Sequence, residues 1–224
     1  MSDRVAAVVA FVFVGLMLLV LLWPTAANGK RLLRKWEVPD PAEPQVQDAV
    51  RYLKRRRLLY PWLYPAIGYF TPLGSGNGDL VATVLVGTLL AELLALRPPR
   101  HARREATLAP RELRGIASRY VLLTYVVLVV AAAVYHVVNR DWMAAGVLGL
   151  SAVAVAVIIW AAVARPASGD HVVDMALRTR SVHVSAGLGA AVAGVSVAGW
   201  PGFIGILAWV AMANTKPPAA TIVR

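Results

Sequence analysis

The sequence predicts an all-α fold, a polytopic transmembrane bundle of about seven helices, and three observations lead there. Apolar residues fill 58% of the 224 positions, mean hydropathy is +0.62 and only 16% of residues are charged, too little polar surface to coat a soluble domain. Five apolar stretches, 5–23, 80–96, 120–138, 142–164 and 184–213, are mostly long enough to cross a ~30 Å hydrocarbon core, which takes a helix of about 20 residues. In lipid, such stretches must satisfy their own backbones and therefore form helices. Of the 23 Lys and Arg residues, 21 fall in the longer segments between the stretches or in the tail after the last one, and the positive-inside rule places those segments in the cytosol.

Residues 1–27 form the first element, a membrane helix that starts outside. The run 5–23 is longer than the ~7–15 residues of a signal-peptide core, and heavy basic charge follows rather than precedes it, so it is expected to be retained. Next comes a basic cytoplasmic loop, 28–57, with nine basic residues against four acids. Within it Asp40, Pro41 and Glu43 supply helix-start chemistry, and 45–59 reads as an interfacial amphipathic helix. Val46, Val50 and Leu53 share one face of that helix. Arg51, Lys54, Arg55, Arg56 and Arg57 are its candidate contacts to anionic lipid headgroups, at about 1 kcal/mol for each basic residue near a membrane surface. The plain alternative is that these cations only anchor topology.

Two basic loops on one side require an even number of crossings between them. The segment 58–97 is therefore a hairpin, with 58–73, interrupted by Pro61, Pro65 and Pro72, as a kinked or broken first leg. Its turn is the Gly-rich 74–78, a string that lacks the Lys-Ser/Thr ending of a phosphate loop. Residues 98–119 form a second cytoplasmic loop; counted from Arg97, it carries seven basic residues against two acids, with Pro110 and Glu112 as start signals. A second hairpin spans 120–164, and a short cytoplasmic loop, 165–183, follows, where Ser168 or Asp170 opens the next helix. The stretch 184–215 reads as a Gly/Ala-rich hairpin broken at Gly199, Trp200, Pro201 and Gly202, with a cytoplasmic tail, 216–224. A single long tilted helix is the competing reading of 184–213, and it would put the C-terminus outside.

Chemistry is sparse. Zero Cys excludes thiolate metal sites, disulfides and cysteine nucleophiles. The net charge of +11 and a pI near 10.7 would suggest nucleic acid in a soluble protein, but the loops already account for nearly every cation, so no nucleic-acid partner is expected. Ionisable residues inside spans are costly, and Glu92 is the clearest candidate for an intramembrane polar site. An interfacial ion pair is its plain alternative. Asp79 reads as a helix cap and His136 as part of an outer polar belt. Asp170, His171 and Asp174 make a poor metal set, and Ser181 with His183 lacks a nucleophile elbow, so no cofactor, metal or catalytic residue is expected.

Packing signals are stronger. Ala186, Ala190, Gly194 and Ala198 recur every four residues and form a candidate helix-packing face, toward a neighbouring helix or a second subunit. Most of the Trp residues, among them Trp23, Trp62, Trp142 and Trp200, fall at span ends, where an indole N–H stays wet.

The order of the strings AVRYLKRRRLL, GTLLAELLALRPPR, ARREATLAPREL and DMALRTRSVHVSAG resembles a group of uncharacterised actinobacterial integral membrane proteins, in which arginine-rich versions of these strings separate helical hairpins. The resemblance covers most of the chain after Lys30. It implies a bacterial plasma membrane location and supplies no activity. On this sequence the expected function is a non-enzymatic scaffold or accessory subunit of a membrane complex, partnered by the bilayer and by another membrane protein or a second copy. A small transporter or channel using 58–73 and Glu92 is the alternative, because transporters place substrates at interrupted helices.

Overall fold

The computed structural model describes residues 2–70, 77–95, 113–164, 170–197 and 199–215, and among these α-helix is the only regular secondary structure. In chain order the helices are α1 (Ser2–Leu21), α2 (Ala26–Lys35), α3 (Glu43–Arg57), α4 (Tyr60–Phe70) and α5 (Asn77–Ala95). They continue as α6 (Leu113–Ile116), α7 (Arg119–Val138), α8 (Trp142–Ala164), α9 (His171–Val197) and α10 (Trp200–Asn214). Among the described residues α7 and α8 are long and apolar enough to cross a membrane; a third span results if α1 and α2, bent by 83° at their junction, count as one. The apolar stretches Leu80–Ala95 and Trp200–Asn214 are shorter.

Local chemistry explains most of the boundaries. Pro24 follows the end of α1, and Thr25 opens α2 by accepting the Asn28 N–H at its Oγ1, 3.3 Å away. In α3 the start falls two residues beyond Asp40: Ala42 takes the cap position, and Gln45 Oε1 accepts the Ala42 N–H at 2.8 Å. Glu43 in the first turn and Lys54 to Arg57 in the last oppose the helix dipole with matching charge at both ends. Asp170 caps α9 through the Val172 and Val173 N–H groups at 2.9 and 3.1 Å. Gln45 donates to the same carboxylate at 2.9 Å, tying the start of α3 to the start of α9. Burial raises and these donors lower the Asp170 pKa, the Gln45 bond being the largest influence, and the net is a carboxyl below its ordinary 3.8. With 11 residues, α4 is about 16 Å long. Its continuation through Pro72 to the Gly-rich turn lies outside the described residues.

The bundle is apolar on the outside and small-residue or polar at its centre. Every residue of 181–194 in α9 is buried, enclosed by α5, α7, α8 and α10. The outer helices leave large apolar side chains uncovered, among them Leu123, Val126 and Val130 of α7 and Leu150 and Val153 of α8. A soluble protein rarely exposes so continuous an apolar surface, whereas lipid solvates it. Gly189 admits the outer helices: a Cβ there would lie 2.6 Å from the Tyr125 ring of α7 and 3.0 Å from Val155 of α8.

At Gly199, whose φ of +64° suits a residue without a side chain, the chain reverses, and α10 runs antiparallel along α9. The two backbones nearly touch. A Cβ on Gly194 would sit 2.3 Å from the Pro201 carbonyl oxygen and 2.9 Å from Gly205 Cα. Ala186, Ala190 and Gly194 are all buried along α9, and Ala198 lies outside the described residues. The helix α9 also begins earlier than the apolar run 184–213, so that residues assigned above to the loop 165–183 are helical from His171 onward.

These contacts gather the C-terminal ends of α1, α5, α8 and α10, the N-terminal parts of α7 and α9, and both α2 and α3 at one end of the bundle, called here the basic end. The helix pair α2–α3 lies across this end. Leu33, Trp36, Val46 and Ala49 pack there against Val173 and Ala176 of α9.

Candidate functional site

Helical phase on α3 decides which of its cations point inward. Val46, Ala49, Leu53 and Arg56 follow the i, i+3, i+7, i+10 spacing of one stripe, and all four are buried, whereas Arg51, Lys54 and Arg55 are exposed. Arg56, expected among the lipid-facing cations, is instead 8% exposed and directed into the protein; Arg57 is half-buried. The reason is register: within the run Lys54 to Arg57 only Arg56 falls on the stripe.

Arg56 meets Glu92 of α5, which is fully buried. Arg56 Nε lies 2.9 Å from Glu92 Oε2, a charge contact rather than an aligned hydrogen bond. On the other side Arg180 Nη1 of α9 is 3.6 Å from Oε1. Two hydroxyls complete the cluster. Ser181 donates to Oε1 at 2.5 Å, and Tyr52 of α3 donates to the same oxygen. Arg180 in turn donates to the Tyr52 oxygen at 2.7 Å, with its guanidinium 5.3 Å over the Tyr52 ring. One carboxylate therefore joins α3, α5 and α9 through two cations and two hydroxyls. Each donor polarises the next, as in cooperative buried networks.

The electrostatics follow from that arrangement. Burial is the largest influence on Arg56 and opposes its charge, yet Glu92 beside it, together with Tyr60, Tyr52 and Tyr64, outweighs burial and holds the guanidinium above its ordinary pKa. Burial pushes the Tyr52 phenol up to about 12, so it remains a neutral donor. A buried ion pair is weak evidence for added stability but is costly to break by removing one partner. The cluster is therefore best understood as a clasp.

Other polar groups are buried elsewhere, Asp174, Arg178, His183 and His136 among them. Arg178 reaches Asp174 one turn earlier on α9, at 2.7 Å from both Nε and Nη2, and donates to the Ala162 carbonyl of α8 at 2.7 Å. This pair fixes the end of α8, whose last carbonyls have no helical partner. His183 accepts the Ser118 N–H at 3.3 Å and meets Trp36 edge-on with centroids 5.4 Å apart, joining the start of α7 to α9. At the opposite end of the bundle His136 is fully buried, 2.9 Å from Ser196 Oγ and 3.7 Å from an Asp141 oxygen. Among the described residues no three His, Cys, Asp or Glu side chains converge in a metal-ligating group.

The packing face Ala186, Ala190 and Gly194 is occupied internally by α10, so its partner is a helix of the same chain. Sequence reasoning singled out Glu92 and missed Tyr52, Arg180 and Ser181. Arg178 with Asp174 was also legible in principle, as an i, i+4 opposite-charge pair. No protein family, curated protein or solved structure matches the chain.

Proposed function

We propose that the chain is a seven-crossing protein of a bacterial plasma membrane, with its basic end in the cytosol and its N-terminus outside, acting as a non-enzymatic scaffold or accessory subunit of a membrane complex. The observation that carries this reading is the occupation of Glu92. A carboxylate that moves ions or protons must release its partners in each cycle, whereas Glu92 is held by Arg56, Arg180, Tyr52 and Ser181 from three helices. The seven crossings are α1, α4 with the residues beyond it, α5, α7, α8, α9 and α10. The basic loops support the cytosolic assignment of the basic end.

One observation favours the transporter reading. The proline-interrupted α4 leans on α5 one turn from Glu92, where the Tyr64 hydroxyl meets Thr88 Oγ1 at 2.9 Å. Extraction in mild detergent, with identification of co-eluting proteins, tests the scaffold. A stoichiometric membrane partner is expected, and a clean monomer combined with Glu92-dependent uptake in vesicles would replace the scaffold with the transporter.

A further inference from the structure

Between α1, α2, α3, α9 and α10, at the basic end, lies a pocket of about 440 Å³. Its size suits a small ligand or a lipid headgroup. Among the described residues five cations line it, Arg31, Lys35, Arg56, Arg57 and Arg180, and none of the described lining residues is a carboxylate. Glu92 sits behind two of these cations, in contact with Arg56 and Arg180, and leaves the other three uncompensated by it.

Two donors at the pocket lack acceptors. The Arg57 Nη1 and the Trp209 indole N–H are buried without a hydrogen-bond partner among the described residues, and both residues line the cavity. Buried donors are rarely left unsatisfied, so the pair marks where an acceptor belongs. Like-charge crowding is written into the neighbours as well. Burial, then the guanidinium groups of Arg180 and Arg31, depresses the Lys35 pKa, and burial with Arg56 and Arg180 depresses that of Arg57 despite an opposing influence from Tyr60.

The remaining wall is apolar. Leu53 and Val184 line the interior, while Leu21 and Leu22, at the end of α1, are exposed at 69% and 43% and continue the lining onto the outer surface. An occupant must be anionic and rich in acceptors at one end and apolar at the other. Guanidinium forks match phosphate oxygens, and basic pockets between membrane helices on the cytosolic side take phospholipid headgroups.

We infer that this pocket binds the phosphate headgroup of an anionic amphiphile, seated among Arg31, Lys35 and Arg57 with the indole N–H of Trp209 as a further donor, and with its chain leaving over Leu21 and Leu22. The site is distinct from Arg51, on the exposed face of α3, which pairs with Asp48. It is independent of the scaffold reading and shares with it only the membrane setting.

The test uses the full chain in detergent and follows Trp fluorescence, since Trp36 and Trp209 both line the pocket. Short-chain phosphatidic acid, short-chain phosphatidylcholine, glycerol 3-phosphate and inorganic phosphate are titrated separately. Saturable binding of phosphatidic acid is expected, at least tenfold tighter than phosphatidylcholine and either soluble phosphate. Lys35→Gln and Arg57→Gln should each weaken it about fivefold, from the contribution of one cation near a membrane surface. The charge-matched Arg51→Gln, on the exposed face of α3, should leave it unchanged. Trp209→Phe preserves the ring and removes the donor, so native mass spectrometry of bound lipid should show reduced retention even if another variant folds poorly. Equal binding of phosphatidylcholine, equal loss in Arg51→Gln, or soluble phosphates binding as tightly as the lipid would overturn the proposal.

Discussion

Replacing Glu92 by Gln keeps the shape of the side chain and its acceptor oxygen for Ser181 and Tyr52, deletes the charge, and turns the oxygen that faces Arg56 into an NH2 donor. What is left is Arg56, 9% exposed in its side chain, and Arg180, 11% exposed, facing each other with the intervening carboxylate gone. Removing one partner of a buried pair costs about 3–5 kcal/mol, because the stranded charge stays desolvated. For a chain of this size that corresponds to a fall in Tm of roughly 6–20 °C. Thermal unfolding of the purified protein in one detergent, followed by circular dichroism, reads the shift. A double-mutant cycle with Arg56→Met completes the measurement: Met fills the volume of the stem, and the double variant should recover more than 1 kcal/mol relative to the sum of the singles, as expected for residues in contact. If Glu92→Gln unfolds within 2 °C of the parent, or if the two substitutions are additive, the clasp is not a buried electrostatic unit and the central argument for a locked carboxylate fails.

Three other outcomes follow from the geometry. Gly194→Ala drives a methyl into the Pro201 carbonyl and should destabilise by about 1–3 kcal/mol, while Gly146→Ala on α8, where a Cβ meets nothing within 4 Å, should cost nothing in the same melt. Asp170 has a folded pKa below its ordinary 3.8, so its cap and its bond to Gln45 contribute fully above that value and are lost as the pH falls through the lower folded one. Unfolding measured from pH 6 down to pH 3 should therefore show a stability loss in acid that Gln45→Ala makes shallower; an identical profile in the variant would remove the link between α3 and α9. Reporter tags placed after Trp23 and after Arg104 should both report from the cytosol, and two periplasmic signals would invert the topology.

The apolar helices were legible because long uninterrupted apolar runs mark them, whatever their neighbours. Glu92 was legible too, since a lone carboxylate in an apolar run stands out. Its partners were hidden for a physical reason. Arg56 lies inside the run Lys54 to Arg57, and composition alone treats all four as one solvated face, whereas helical phase, with Val46, Ala49 and Leu53 on the same stripe, separates Arg56 from the rest. The first half of α9 was obscured in a similar way. Asp174, Arg178, Arg180 and Ser181 look like loop chemistry because each is costly to bury singly, and they become acceptable inside a protein only as a mutually satisfied set with Tyr52, Glu92 and the Ala162 carbonyl. Apart from the Asp174–Arg178 pair, four positions apart, such compensation links residues 16 to 129 positions apart, which no local window records. The short α2 escaped because its Thr25 cap is a single residue and its last turn was counted only as charge.

Placing the least greasy rod at the middle of the bundle constrains how the protein is made. On emerging from the ribosome, α9 carries Asp174, Arg178 and Arg180, which are costly to bury without partners. By then α5, with Glu92, and α8, with the open Ala162 carbonyl, have already been synthesised, so the incoming strand of chain meets a prepared counter-charge and a prepared acceptor. In a chain halted before His171 the carboxylate would keep Arg56 and Tyr52 but lack Arg180 and Ser181, so the three-helix joint closes only when this late element arrives.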